Sequence, residues 1–105
     1  MKENEFLNKI KTGELKPKVE YVINELSDKY FYSKGIYYDD DISKWIIYTV
    51  DMPDDLRYPA SNKIVTLYIT SNEDIAFGKF AQLITGQIGD NELRSQYIKQ
   101  LYKNM

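Results

Sequence analysis

A chain of 105 residues with a formal charge of −2, 43% of it hydrophobic and 29% charged, fits one folded domain over residues 1–105 and is too apolar to stay disordered. It contains no cysteine and no histidine, which excludes disulfides, thiolate or imidazole zinc sites and every catalytic triad built on imidazole. An enzyme would have to work with carboxylates, lysine or tyrosine, so the expectation is a protein that is not an enzyme and holds no metal and no cofactor.

The opening stretch MKENEFLNKIK has charges through its first half and no apolar run, so it reads as neither secretory signal nor anchor. The expected compartment is the cytoplasm, a host cytoplasm if the gene is viral. From Asn4 to Gly13 the spacing predicts a short amphipathic helix with Phe6, Leu7 and Ile10 on one face and Gly13 as its stop. Pro17 suits the first turn of a second helix, in which Val19, Val22, Ile23, Leu26 and Tyr30 follow an i, i+3, i+4 rhythm. Its end is ambiguous: it runs on to a cap at Gly35, or the stretch YFYS is already a strand.

The middle of the chain is β. GIYY, KWIIYTV and KIVTLYIT are rich in β-branched and aromatic residues, and the first two are expected to pair as a hairpin. In the third, Val65, Leu67 and Ile69 alternate with Thr66, Tyr68 and Thr70, a period of two with one face buried. The connection DMPDDLRYPASN before it is unusually long for a small domain, a length that often carries a role. Helix then returns. Ser71 or Asn72 is the expected N-cap, and Phe77, Phe80, Ala81 and Ile84, widened by Ile75, Ala76 and Leu83, form the buried stripe. After GQIG a last helix follows, with Leu93, Tyr97, Ile98 and Leu101 facing inward. The reading is an α+β fold, a small antiparallel sheet of about three strands packed against N- and C-terminal helices in the order αα-βββ-αα.

Motifs that carry chemistry are scarce. Counted as a calcium loop from Asp39, the sixth position is Lys44 and the twelfth Val50, where glycine and glutamate belong. The acidic pair of a nuclease would need a later E-x-K strand, and the one E-x-K, Glu14 to Lys16, lies upstream. No phosphate-binding glycine pattern occurs. Helix, G-x-x-G, helix after a strand resembles the loop of KH domains, which implies a clamp on single-stranded nucleic acid. Here the two central positions are Gln87 and Ile88 rather than basic residues, and Asp90 follows at once. A glycine helix stop followed by an Asp N-cap accounts for the same residues.

Charge is distributed unevenly. Residues 1–38 carry seven Lys against six acids, residues 39–55 six Asp against Lys44, and residues 56–105 six basic residues against four acids. The acid excess therefore lies in the hairpin turn and in the long connection, at opposite ends of one strand. The expected contact surface is an acidic, tyrosine-bearing sheet edge: Tyr37, Tyr38, Asp39, Asp40, Asp41, Tyr48, Asp51, Asp54, Asp55 and Tyr58. Tyrosine gives large contact area at low entropic cost, and the acids would face a basic partner. The competing account sinks the rings in the core and leaves the aspartates as solvated turn residues.

The functional expectation is a small non-catalytic protein-interaction module, an inhibitor or regulator encoded by a phage, virus or mobile element, with another protein as partner. Twelve Lys against two Arg, with abundant Ile, Asn, Asp and Tyr, reflect AT-rich codons and suggest that source. The alternative is a nucleic-acid binder using Lys9, Lys11, Lys16 and Lys18, or Arg94, Lys99 and Lys103 near the C-terminus, against which the low pI of about 5.1 counts. A membrane partner is not expected, and a homodimer through the tyrosine- and isoleucine-rich strands stays open.

Overall fold

The acids Glu3 and Glu5 in the first turn and Lys9 and Lys11 in the last complement the dipole of helix α1, Glu3–Thr12, and Gly13 closes it with its N–H on the Ile10 carbonyl. The structure is a computed structural model that describes residues 1–52 and 62–103. After α1 come strands β1 (Tyr21–Ile23), β2 (Lys34–Asp39), β3 (Lys44–Asp51) and β4 (Lys63–Thr70), then helices α2 (Glu73–Ile84) and α3 (Asp90–Lys103). The strands form one sheet in the order β1-β2-β3-β4, with β1 parallel to β2 and the other neighbours antiparallel. The class is α+β as the sequence predicts, but among the described residues the sheet is mixed and four-stranded, and three helices stand where four were expected.

The missing helix is the one expected after Pro17. Tyr21, Val22 and Ile23 instead pair with Lys34, Gly35 and Ile36 as a parallel edge strand. Tyr21 and Ile23 pack against the core, and the Tyr21 ring meets Phe6 and Phe80 edge-on. Val19 and Leu26, assigned to a buried helical face, are exposed. Two β-branched residues beside a tyrosine satisfy a strand as readily as a helix, and the open edge of β2 decides the matter.

The helices cover one face of the sheet. Phe6 is wholly buried with its ring 5.5 Å from Phe77 and 5.7 Å from Phe80, and Ile36, Ile47, Leu67, Tyr68, Leu83, Ile84 and Leu93 complete this core. Asn72 caps α2 by accepting the Ile75 N–H at 3.1 Å, one of the two candidates read from the sequence. Lys34 crosses from β2 to α3: its Nζ lies 2.8 Å from Asp90 Oδ2 and donates to Thr49 Oγ1 at the same distance. Four further expected core residues face outward instead; one is Ile75, in the first turn of α2, which is exposed while Ala76 and Leu83 are buried. Leu7, Ile98 and Leu101 are exposed, because only Phe6 and Ile10 of α1 and Leu93 and Tyr97 of α3 reach the core.

A register shift beside Ile47 and Tyr48 breaks the alternation read from β4. Ile47 pairs with Tyr68 but Tyr48 pairs with Thr66, which leaves Leu67 as the extra residue of a bulge. Leu67 and Tyr68 consequently both join the helix-side core, and Ile69 falls opposite Ile46 on the other face. That other face, with Tyr37, Ile46, Tyr48 and Val50, carries no helix among the described residues. It is where the candidate site is built.

Candidate interaction surface

Tyr48 lies flat across β2, where Gly35 leaves room for it. A Cβ on Gly35 would sit 2.0 Å from Tyr48 Cζ, so glycine at that position is the condition for the ring's place. The Tyr48 hydroxyl donates to the Glu25 carbonyl at 2.7 Å and accepts the Ser27 N–H at 3.0 Å. It is 1% exposed. These bonds pin the connection Asn24–Ser33, which carries the chain from β1 to its parallel neighbour β2, over the helix-free face. Asn62 reinforces it by donating to the Asp28 carbonyl at 2.9 Å.

The crossover ends in a tight turn. Ser33 donates to the Tyr30 carbonyl through both its N–H, at 3.3 Å, and its Oγ, at 2.6 Å. Tyr32 and Ser33 then extend the ladder to β3, where the Tyr32 N–H donates to the Val50 carbonyl and the Val50 N–H to the Ser33 carbonyl. Tyr32 occupies the third position of this turn with φ 66°, a conformation that turns ordinarily give to glycine or asparagine and that costs a bulky residue about 1–2 kcal/mol. The side chains nonetheless point to solvent: Tyr30, Phe31 and Tyr32 are 54%, 52% and 59% exposed. Phe31 and Tyr32 meet edge to face at 5.2 Å, Lys29 Nζ stands 5.3 Å from the Tyr30 ring, and the Tyr32 hydroxyl reaches Met52 Sδ at 3.4 Å. With Leu26 and Met52 also exposed, the three rings alone present on the order of 300 Å² of aromatic surface.

The residues singled out in the sequence fall in several places. Asp39, Asp40 and Asp41 lie at the β2–β3 turn, where Asp39 Oδ1 accepts the Asp41 N–H at 2.9 Å, a local turn bond. Tyr37 and Tyr38 stand on opposite faces. Tyr38 packs at 5.2 Å against Trp45 on the helix side, while Tyr37 meets Tyr48 at 5.9 Å on the other. Asp51 is at the far end of β3, roughly 23 Å from the turn at about 3.3 Å per residue. Asp54, Asp55 and Tyr58 lie outside the described residues.

One assignment is corrected outright: Tyr48 is a core residue that organises the crossover and offers no contact surface. Among the described residues no three acids come together in a way that could hold a metal ion. The acidic turn and the tyrosines therefore do not share one face. What the sequence reading missed is the cluster Tyr30, Phe31, Tyr32 and Met52. A signal for it was present, since three consecutive large rings cannot all be buried by either a strand, which alternates its faces, or a helix, which fans them over most of a turn.

Burial raises the Tyr48 hydroxyl above the ordinary tyrosine value; the Ser27 N–H bond opposes that rise, and Glu25 and Tyr37 add to it. Burial also raises Tyr37, with Asp39 adding to it.

The loop that resembled a KH clamp is a helix stop. Gly86 follows the Thr85 C-cap of α2, the N–H groups of Gln87 and Ile88 both go to the Gln82 carbonyl, and Ile88 packs on the core. Compared with protein-family models, curated proteins and solved structures, the chain gives no match. No helix among the described residues is long and apolar enough to cross a membrane.

Proposed function

We propose that this chain is a non-catalytic protein-interaction module whose contact surface is the aromatic turn of the crossover, Tyr30, Phe31 and Tyr32 with Met52. The observation that carries this reading is three adjacent rings, each more than half exposed, on a backbone held in an unfavourable conformation at Tyr32. Strain kept at a solvent-exposed residue that adds little to the core points to a role outside folding. Aromatic residues and methionine are enriched where proteins meet. Asp51 at the end of β3 stands opposite Lys63, and Lys29 stands over the Tyr30 ring, so this surface is characterised by its rings rather than by acidity. The partner thus offers an apolar pocket.

The finer reading is an inhibitor or regulator acting in the cytoplasm and encoded by a phage, virus or mobile element. It is supported by small size, by the lack of imidazole and thiol, and by residue usage typical of AT-rich genes.

The test is affinity capture from cells of the source with wild-type protein, Tyr30→Ala/Phe31→Ala and Tyr32→Asn, each also unfolded in urea. The wild type retains a partner that the double variant loses at unchanged urea midpoint. Tyr32→Asn loses it with a midpoint equal to or above wild type, because asparagine tolerates a positive φ. Equal retention of the partner by all three proteins would overturn the assignment.

A further inference from the structure

Helix α3 carries a second, unrelated surface. Beyond its first turn it bears Arg94, Lys99 and Lys103 and no acid, and Lys79 projects from α2 beside it. Of the two acids in the first turn, Asp90 is bound to Lys34, and Glu92, two residues before Arg94 and one turn before Gln96, belongs to neither lining described below. Among the described residues none of the four cations has a carboxylate within ion-pair distance.

Two shallow, open depressions lie along this helix. One, of about 330 Å³, is lined by Tyr68, Lys79, Gln96, Lys99, Gln100 and Lys103. The other, of about 370 Å³, is lined by Asn91, Arg94, Ser95, Ile98, Lys99 and Tyr102. Neither lining contains an acid, and Lys99 belongs to both. In a protein whose net charge is −2, four cations around two adjoining linings that contain no acid are a local inversion of sign, with Lys99 shared between Arg94 on one side and Lys79 and Lys103 on the other.

We propose that this face binds the phosphodiester backbone of single-stranded nucleic acid. Arg94, Lys99, Lys103 and Lys79 supply the phosphate contacts, and the amides of Asn91 and Gln96 with the Ser95 hydroxyl supply neutral donors. From Arg94 to Lys103 the cations extend about 14 Å along the helix at about 1.5 Å per residue. Single strands are favoured over duplexes and over acidic polypeptides by Tyr102. Tyr102 is 72% exposed, the most exposed large hydrophobic residue among the described residues, and it stands beside Arg94 and Lys99. An unpaired base offers such a ring a free face; a paired base or a glutamate side chain does not. Tyr68 has a different part: buried beneath Lys79, whose Nζ is 5.4 Å from its ring centre and 2.6 Å from Gln96 Oε1, it holds that ammonium in the first depression. This surface is independent of the crossover turn, and either assignment can fail alone.

The measurement is fluorescence anisotropy of labelled oligonucleotides of about 15 units, single-stranded DNA, single-stranded RNA and duplex DNA, at about 50 mM salt, with polyglutamate as competitor. Wild-type protein is expected to bind the single strands more tightly than duplex, with polyglutamate a poor competitor. Arg94→Gln/Lys99→Gln/Lys103→Gln is expected to bind at least about ten-fold more weakly, and the log–log salt slope falls by about 2, at about 0.7 per lost contact. Tyr102→Ala is expected to cost about five-fold or more.

Lys2→Gln/Lys11→Gln/Lys16→Gln has the same net charge with α3 intact, and Tyr30→Ala/Phe31→Ala alters only the crossover; both bind as wild type does. Circular dichroism of each variant verifies its fold. Absence of binding by the wild type, preference for duplex, displacement by polyglutamate, or equal weakening by the α1-side triple variant each overturns the proposal.

Discussion

Tyr48 has two roles: it fills the space above Gly35, and its hydroxyl closes the crossover onto the sheet through Glu25 and Ser27. Tyr48→Phe keeps the ring and removes both bonds, leaving a sheltered N–H and C=O without this partner. A loss of about 1–3 kcal/mol in urea unfolding is expected. The pH dependence has a definite sign. In the folded state the hydroxyl titrates above its ordinary value, so the native chain holds its proton where the unfolded chain has released it. The stabilisation is complete below the unfolded tyrosine value near about 10 and is lost as pH rises through the folded value. Tyr37 and Tyr68 are raised by burial too and add to this alkaline limb. Urea midpoints measured from neutral pH upward should therefore fall above about pH 10 in the wild type and fall less steeply in Tyr48→Phe.

At the level of elements, what could be read in advance was whatever the local sequence decides. The apolar stripe of α2 and its Asn72 cap, the Gly13 stop of α1, and the pairing of GIYY with KWIIYTV all depend on residues a few positions apart. The segment from Pro17 to Ser33 does not. Its helical rhythm of Val19, Val22, Ile23, Leu26 and Tyr30 is an accident of spacing, overridden by the vacant edge of β2 and by Tyr48, more than twenty residues along from the carbonyl it binds. The bulge at Leu67 was equally hidden, since it arises from the pairing of two strands and not from either alone.

The same dependence gives a test. Gly35→Ala drives a methyl into the Tyr48 ring, and the crossover is tied to that ring. An expected loss of about 1–3 kcal/mol in thermal or urea unfolding follows from overpacking. In Tyr48→Ala the methyl meets open space, so the double variant should lose clearly less than the two single changes summed. Strict additivity would mean that the ring does not occupy that position.

Across the whole molecule the sheet separates two surfaces of different character. Helices bury one face and leave the cationic side of α3 outside, while the crossover covers the other and ends in the aromatic turn by Met52 and Asp51. The acidic hairpin turn, the most conspicuous feature of the sequence, lies at the far end of β2 and β3 from that turn, and Asp39 serves to shape its own loop. Composition could rule out imidazole and thiol chemistry, but it could not place the proposed contact surface, which depends on where a ten-residue crossover comes to rest.

The most direct measurement replaces one residue at a time with a photo-crosslinking phenylalanine analogue, at Phe31 and at Asp40, followed by irradiation in cells and mass spectrometry of the adducts. A covalent adduct to one partner protein from position 31 and none from position 40 is the predicted result. An adduct from position 40 alone, or none from either, would contradict it.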